Sequence, residues 1–179
     1  MVVVGILLAG RVYLHQGFPY THDGENHLAR FANYKIALKE GQVPPRLAPN
    51  LQNRYGYPVF NYNYPLANII SLPFSFLHLN YETTFKFIVL IGLAVLAISI
   101  QEWVRLLGVG RLGQLMSVGL VMSSPVVLNM TFFRGNIGEI LALALTATLL
   151  WLVERAVQHR TWHTSWMILC WIALLLAHN

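Results

Sequence analysis

The stretch Phe87-Ile88-Val89-Leu90-Ile91-Gly92-Leu93-Ala94-Val95-Leu96-Ala97-Ile98-Ser99-Ile100 decides the fold. It holds no charge and lies within a candidate span at about residues 86–104. Roughly 20 such residues cross a hydrocarbon core about 30 Å thick. Three further runs read the same way, at about 112–130, 138–153 and 164–178, and residues 1–16 form a shorter first segment broken by Arg11. Composition agrees. The chain is 56% hydrophobic and only 11% charged, with mean hydropathy +0.53, whereas a soluble domain carries about 25% charged residues. Cys170, the one cysteine, sits in an apolar run, which excludes a disulfide framework and a cysteine metal site. The net charge of +5 is dispersed. Arg105, Arg111, Arg155 and Arg160 flank apolar segments as orientation determinants do. No basic patch is dense enough for nucleic acid.

The expected fold class is therefore all-α, a polytopic transmembrane helical bundle of about five spans. One transmembrane domain covers residues 1–179, with a bundle at 86–179 and a long first extracytoplasmic loop at 17–85. That loop carries two membrane-surface helices, at 22–40 and 65–79. In the first, Thr21 or Asp23 caps the start, Leu28, Phe31, Ala32 and Ile36 form an apolar stripe, and Gly41 supplies the stop. The second is too short to span and contains Pro73. Between them, residues 42–64 read as a structured loop rich in proline, asparagine and tyrosine. Its Tyr55, Tyr57, Tyr62 and Tyr64 suit an interfacial belt and equally a sugar-binding surface. Both ends of the chain read as cut, so an N-terminal fragment of a longer protein is expected. A signal peptide is the alternative for residues 1–17, but a basic leader and a small-residue cleavage site are both missing there.

Charge counting sets the topology. Arg105 and Arg111 share one side with Arg155 and Arg160, while the opposite short loop holds only Arg134. The positive-inside rule then puts Asp23, the 131–139 loop and His178-Asn179 together on the extracytoplasmic face.

Three polar clusters fall on that face. The first is Thr21-His22-Asp23-Gly24-Glu25-Asn26-His27-Leu28-Ala29-Arg30, in which Asp23, His27, Arg30 and Tyr34 share one helix face. Ionisable groups beside lipid ask for a functional explanation. Asp23 is the candidate catalytic or metal-binding acid; alternatively it only caps a helix whose charges are solvated. The second cluster, Thr131 to Glu139, places Glu139 in the first turn of a helix, with Gly135 and Gly138 permitting close approach. Its alternative is a capping acid beside an interfacial Arg134. The third is His178-Asn179, equally readable as a helix end. Asp23 and Glu139 together offer hard oxygens to a divalent cation such as Mg or Mn, and Asp23 with His27 offers a two-ligand half-site. The sequence contains no glycine-rich phosphate loop and no zinc-protease or nucleophile-elbow motif, and no organic cofactor is expected.

The order of one span, an acid opening a large loop with surface helices, and then a bundle resembles the GT-C glycosyltransferases. More closely, His22-Asp23-Gly24 with Asn26-His27-Leu28 and Arg30, then Tyr55 to Leu66, Arg134 to Glu139 and Ala177-His178-Asn179, resemble a group of bacterial multi-span proteins. These carry a label relating them to 6-pyruvoyl-tetrahydropterin synthase, although no residue here supports pterin chemistry. Glu139 departs from the pattern's aspartate by one methylene of reach. The resemblance implies a bacterial inner-membrane enzyme that transfers a sugar from a polyprenyl-phosphate donor to an acceptor of unspecified identity. It implies Asp23 and Glu139 as catalytic acids, Arg134 and Arg30 as phosphate ligands, and His178, Asn179 and Tyr64 as further substrate contacts. The other classes are a transporter or flippase component for a lipid-linked saccharide, and a non-catalytic membrane subunit.

Overall fold

The computed structural model describes residues 2–160 and 164–178, and among them every regular element is a helix. The chain is an all-helical protein with helices long and apolar enough for a membrane. Two helices form its axis. α4, defined here as Tyr81–Leu106, has 26 residues and α7, Ile137–His159, has 23. At about 1.5 Å per residue both exceed the roughly 30 Å of a bilayer core. The two pack along their length. Phe85, Ile88, Leu93 and Leu96 of α4 are buried with Ile137, Ile140 and Ala144 of α7. Gly92 sets how closely they approach: a Cβ there would lie 2.9 Å from Ile140 Cγ2. Ser99 and Thr148 hydroxyls join the pair at 2.8 Å. The outward side chains Phe87, Ile91, Ile98 and Leu150 are exposed, as a lipid-facing surface requires.

The remaining α-helices, in chain order, are α1 (Val2–Ala9), α2 (Gly24–Lys39), α3 (Leu66–Phe76), α5 (Arg111–Met122), α6 (Pro125–Leu128) and α8 (Thr164–Ala177). The span expected at 112–130 is broken. Pro125 lacks an amide N–H, so α5 stops and α6 restarts behind it, with the Ser124 hydroxyl accepting from Val127 N–H at 3.3 Å. α6 runs on as a π-helix, Asn129–Arg134, and this pair bends by 46° from α5. At 8 and 14 residues, α1 and α8 would reach only about 12 and 21 Å. Among the described residues two helices thus have crossing length, or three with the bent pair, where about five spans are expected.

α2 occupies its expected place but turns a different face inward. Gly24, His27, Phe31, Asn33, Tyr34 and Ala37 are buried, against α3 and α4, while Leu28, Ala32 and Ile36 of the expected stripe are only half-buried. Its end is as expected: Gly41, at φ +85°, donates to Leu38 O, and Gln42 donates to Ala37 O. The 42–64 loop is pinned to α2 by Asn50 N–H donating to Asn33 Oδ1 at 2.8 Å, and closes on itself through a pair of bonds between Ala48 and Tyr57.

Candidate functional site

Helix ends leave carbonyls without partners, and here those carbonyls fix the first polar cluster. The π-helix finishes at Arg134, and Gly135 follows at φ +61°. Phe133 O accepts from His22 N–H at 2.9 Å and Arg134 O accepts from Asp23 N–H at 2.8 Å. Glycine is required at 135 for a second reason: a Cβ would sit 2.3 Å from Thr21 Oγ1. The 21–23 backbone is thereby clamped onto the end of the π-helix, and Asp23 comes to lie beside Arg134.

Asp23 begins α2 but its side chain makes no capping bond. Instead Oδ1 meets His22 Nδ1 at 2.9 Å and Oδ2 lies 4.0 Å from Arg134 Nη2. The other guanidinium nitrogen, Nη1, lies 2.5 Å from Glu139 Oε1. One planar guanidinium therefore reaches both carboxylates, which puts the two contacting oxygens within about 9 Å of each other. Both acids remain reachable from solvent, at 21% and 15% side-chain exposure.

Glu139 is held from behind. Asn136 caps α7, its Oδ1 accepting from Glu139 N–H at 3.2 Å while its Nδ2 donates to Glu139 Oε1 at 3.3 Å. The same Oδ1 accepts from Tyr64 Oη at 2.9 Å. Burial pushes the Tyr64 phenol up, which keeps it protonated and donating. The Tyr64 ring lies against Gly138, where a Cβ would approach to 2.0 Å, and stacks on the His178 ring at 5.1 Å and 25°. The three clusters thus meet at one end of the bundle. Asn179 lies outside the described residues. Below Glu139 and His178 a groove of about 410 Å³ follows Ala142, Leu143 and Thr146 down α7.

Arg30 is half-buried and makes no ion pair within 4 Å among the described residues. Burial lowers its pKa, opposed by Tyr64 and Asp23, and a guanidinium so placed stays charged. It lines a cavity of about 260 Å³ with Asn26, Gln52 and Tyr57. Thr21, His22, Glu25, Asn26, Phe132 and Phe133 are among the residues that line another of about 450 Å³.

His27 departs from its expected role. It is 2% exposed, with its ring 6.0 Å from Phe85 and 6.3 Å from Phe31, and Nε2 has no partner. Burial, reinforced by the Arg30 charge and opposed by Asp23, lowers its pKa to about 4. Among the described residues no three histidine, cysteine or acidic side chains gather into a cation cage. The position between Asp23 and Glu139 is filled by Arg134. The donor set, as placed, does not fit a metal shared by Asp23, Glu139 and His27. Asn136 joins the site although it is not among the sequence-derived candidates; the Asn136-x-x-Glu139 spacing, a capping-box signature, is the signal that points to it. Of the four loop tyrosines, Tyr55 and Tyr62 are exposed, Tyr57 lines the Arg30 cavity and Tyr64 joins the acid cluster. Comparison of the chain with protein-family models, with curated proteins and with solved structures finds no match.

Proposed function

We propose that this polar end is the transfer site of an integral-membrane glycosyltransferase working at the extracytoplasmic face. A sugar passes from a polyprenyl-phosphate donor to an acceptor hydroxyl. The carrying observation is that two carboxylates converge on Arg134, while Asp23 is free of any capping bond.

The geometry supports the following chemistry. Asp23 takes the proton of the acceptor hydroxyl as that oxygen bonds to the anomeric carbon. The carbon–oxygen bond to phosphate breaks, and polyprenyl phosphate leaves with the electron pair. A well-placed base contributes roughly 10²–10⁴-fold. His22, exposed and bonded to Asp23 Oδ1, orients the carboxylate and opens a route for the proton to water. Arg30, without a carboxylate partner among the described residues, offers its planar fork to the departing phosphate. Glu139, itself held by Asn136, keeps Arg134 between the two acids, so no metal stands between them in this scheme. Tyr64 stacked on His178 gives a flat wall for a sugar ring, and the groove along Ala142, Leu143 and Thr146 suits the first isoprene units.

The test uses the protein in bilayers, with a panel of labelled polyprenyl-phosphate sugars and chelator present or absent. Asp23→Asn is expected to abolish transfer with membrane insertion and unfolding midpoint unchanged. Wild-type transfer in that variant overturns the assignment. Movement of the lipid-linked saccharide between leaflets without transfer would replace the enzyme with a transporter.

A further inference from the structure

The opposite end of the bundle carries a second constellation that the transfer site does not use. α4 and α7 finish side by side there, tied by Gln158 Nε2 donating to Leu106 O at 3.0 Å. A cavity of about 250 Å³ opens between the two ends, lined by Arg105, Leu106, Trp151, Arg155 and His159. A second, of about 410 Å³, lies between α7 and α8 and is lined by Thr148, Trp151, Leu152, Arg155 and Trp166. The two meet at Trp151 and Arg155, whose guanidinium carbon lies 6.0 Å from the Trp151 ring centroid.

The joined slot is amphiphilic along its length. Thr148, Trp151 and Leu152, Arg155 and His159 recur at i, i+3 and i+4, i+7 and i+11, which is one face of α7. From His159 to Thr148 is about 16 Å at 1.5 Å per residue, half of a hydrocarbon core about 30 Å thick. Its mouth is cationic and its inner part is apolar and aromatic. Helix C-termini favour basic residues through the dipole, which explains where Arg105 and Arg155 lie but not the slot between them. The two acids nearby leave Arg155 available. Glu102 is held by Arg105 at 2.5 Å, and Glu154 accepts from Gln158 at 2.8 Å. Arg155 has no carboxylate within 4 Å among the described residues. A free phosphate ion would use only the mouth and leave the trough beside Trp166 unfilled.

We propose that this slot holds one anionic phospholipid of the leaflet at that end, separate from the transfer site. Its phosphate lies against Arg155 at the mouth, and one acyl chain runs past Trp151 and Leu152 to Trp166. The chain bridges α7 and α8, so the lipid stabilises their contact. Basic pockets between membrane helices recognise acidic headgroups in this way.

The experiment measures the unfolding midpoint of the detergent-purified protein on adding phosphatidylglycerol, phosphatidylcholine or inorganic phosphate. Native mass spectrometry of retained lipid runs in parallel. A ligand that binds only the folded state raises the midpoint in proportion to its occupancy. Phosphatidylglycerol is expected to raise the midpoint and to be retained as one molecule, the other two additives having little effect. Arg155→Gln is expected to weaken that binding about tenfold, the loss of a charge-assisted pair. Arg155→Lys is expected to fall between, since it keeps the charge without the planar fork. Arg111→Gln, at the same end but outside the slot, leaves the shift unchanged. Equal shifts with both lipids, an undiminished shift in Arg155→Gln, or a phosphate effect as large as the lipid's would each overturn the proposal. Should Arg155→Gln fail to fold, Arg155→Lys with unchanged lipid retention and an unchanged shift overturns it instead.

Discussion

At the end where α7 begins, Arg134 is shared by two carboxylates, the Asn136 side chain makes three hydrogen bonds to Tyr64 and Glu139, and Gly135 and Gly138 each admit a side chain too close for any Cβ. At the end where α7 finishes, the basic residues are exposed, and the helices are tied by Gln158 to a backbone carbonyl. The contrast extends to unpartnered groups. Among the described residues the buried polar side-chain atoms without a hydrogen bond belong to Thr21, His27 and Asn68, all from segments packed around the first end. Groups that cost stability persist where the surroundings hold them for a purpose. The first end is thus held by many side-chain ties, and the second by few.

The sharpest way to break this contrast is to remove its centre. Arg134→Gln leaves Asp23 and Glu139 facing each other without a shared cation. Transfer is expected to fall at least about 10²-fold, the usual cost of losing one charge-stabilising donor from a catalytic site. Arg134→Lys should recover only part of it, because a point charge does not fork between two carboxylates. Rates measured on a polyprenyl-phosphate sugar decide this. Full activity in Arg134→Gln would reduce the cluster to a helix start.

His27 offers a test through pH. Its folded pKa is about 4 against the ordinary 6.5, so between these values the unfolded chain binds more protons than the folded one. Stability is therefore complete above about pH 6.5 and declines as pH falls towards 4, by about 3 kcal/mol in all. His27→Leu should flatten that part of the profile. Unfolding midpoints of both proteins at pH 7 and pH 5 give the answer, and parallel profiles would place the imidazole elsewhere than against Phe85.

Part of this contrast is legible in the sequence. The long apolar runs were readable because lipid imposes a length on a helix, and α4 and α7 fall where composition put them. Pairing Asp23 with Glu139 followed from counting arginines on either side of the spans. The break before Pro125 was equally visible as a residue without an N–H, yet hydropathy alone ran through it. What periodicity did not decide is which face of α2 turns inward. Leu28, Phe31 and Ile36 suggest one face and Gly24, His27, Phe31 and Tyr34 another, and the choice is made by Phe85 and the neighbouring helices. The clamp of Phe133 and Arg134 carbonyls on residues 22–23 joins segments far apart in the chain, and no local spacing announces it.

One substitution made in two places sharpens the comparison further. Gly138→Ala puts a methyl into the Tyr64 ring, which must swing off His178 and away from Asn136. Overpacking of this kind costs about 1–3 kcal/mol. Gly119→Ala, in α5, meets no atom within 4 Å and should be neutral or stabilising by up to about 1 kcal/mol. Opposite signs in the unfolding midpoints are expected. Equal effects would mean that Tyr64 does not pack on α7.

The smallest effect separates two caps of the same residue type. Asn80 starts α4, its Oδ1 accepting from Thr83 N–H at 2.7 Å, and it takes no part in the site. Asn136 starts α7 and also holds Tyr64 and Glu139. Replacing either by alanine removes a cap worth about 1 kcal/mol. Only Asn136→Ala should also slow transfer, because Glu139 then loses one of the groups that fix it against Arg134. Combining Asn136→Ala with Tyr64→Phe should cost less than the sum of the two, since both delete the same hydrogen bond. If Asn80→Ala and Asn136→Ala lower the midpoint alike and neither touches transfer, Asn136 is a cap and nothing more. The polar ring then narrows to Asp23, Arg134 and Glu139.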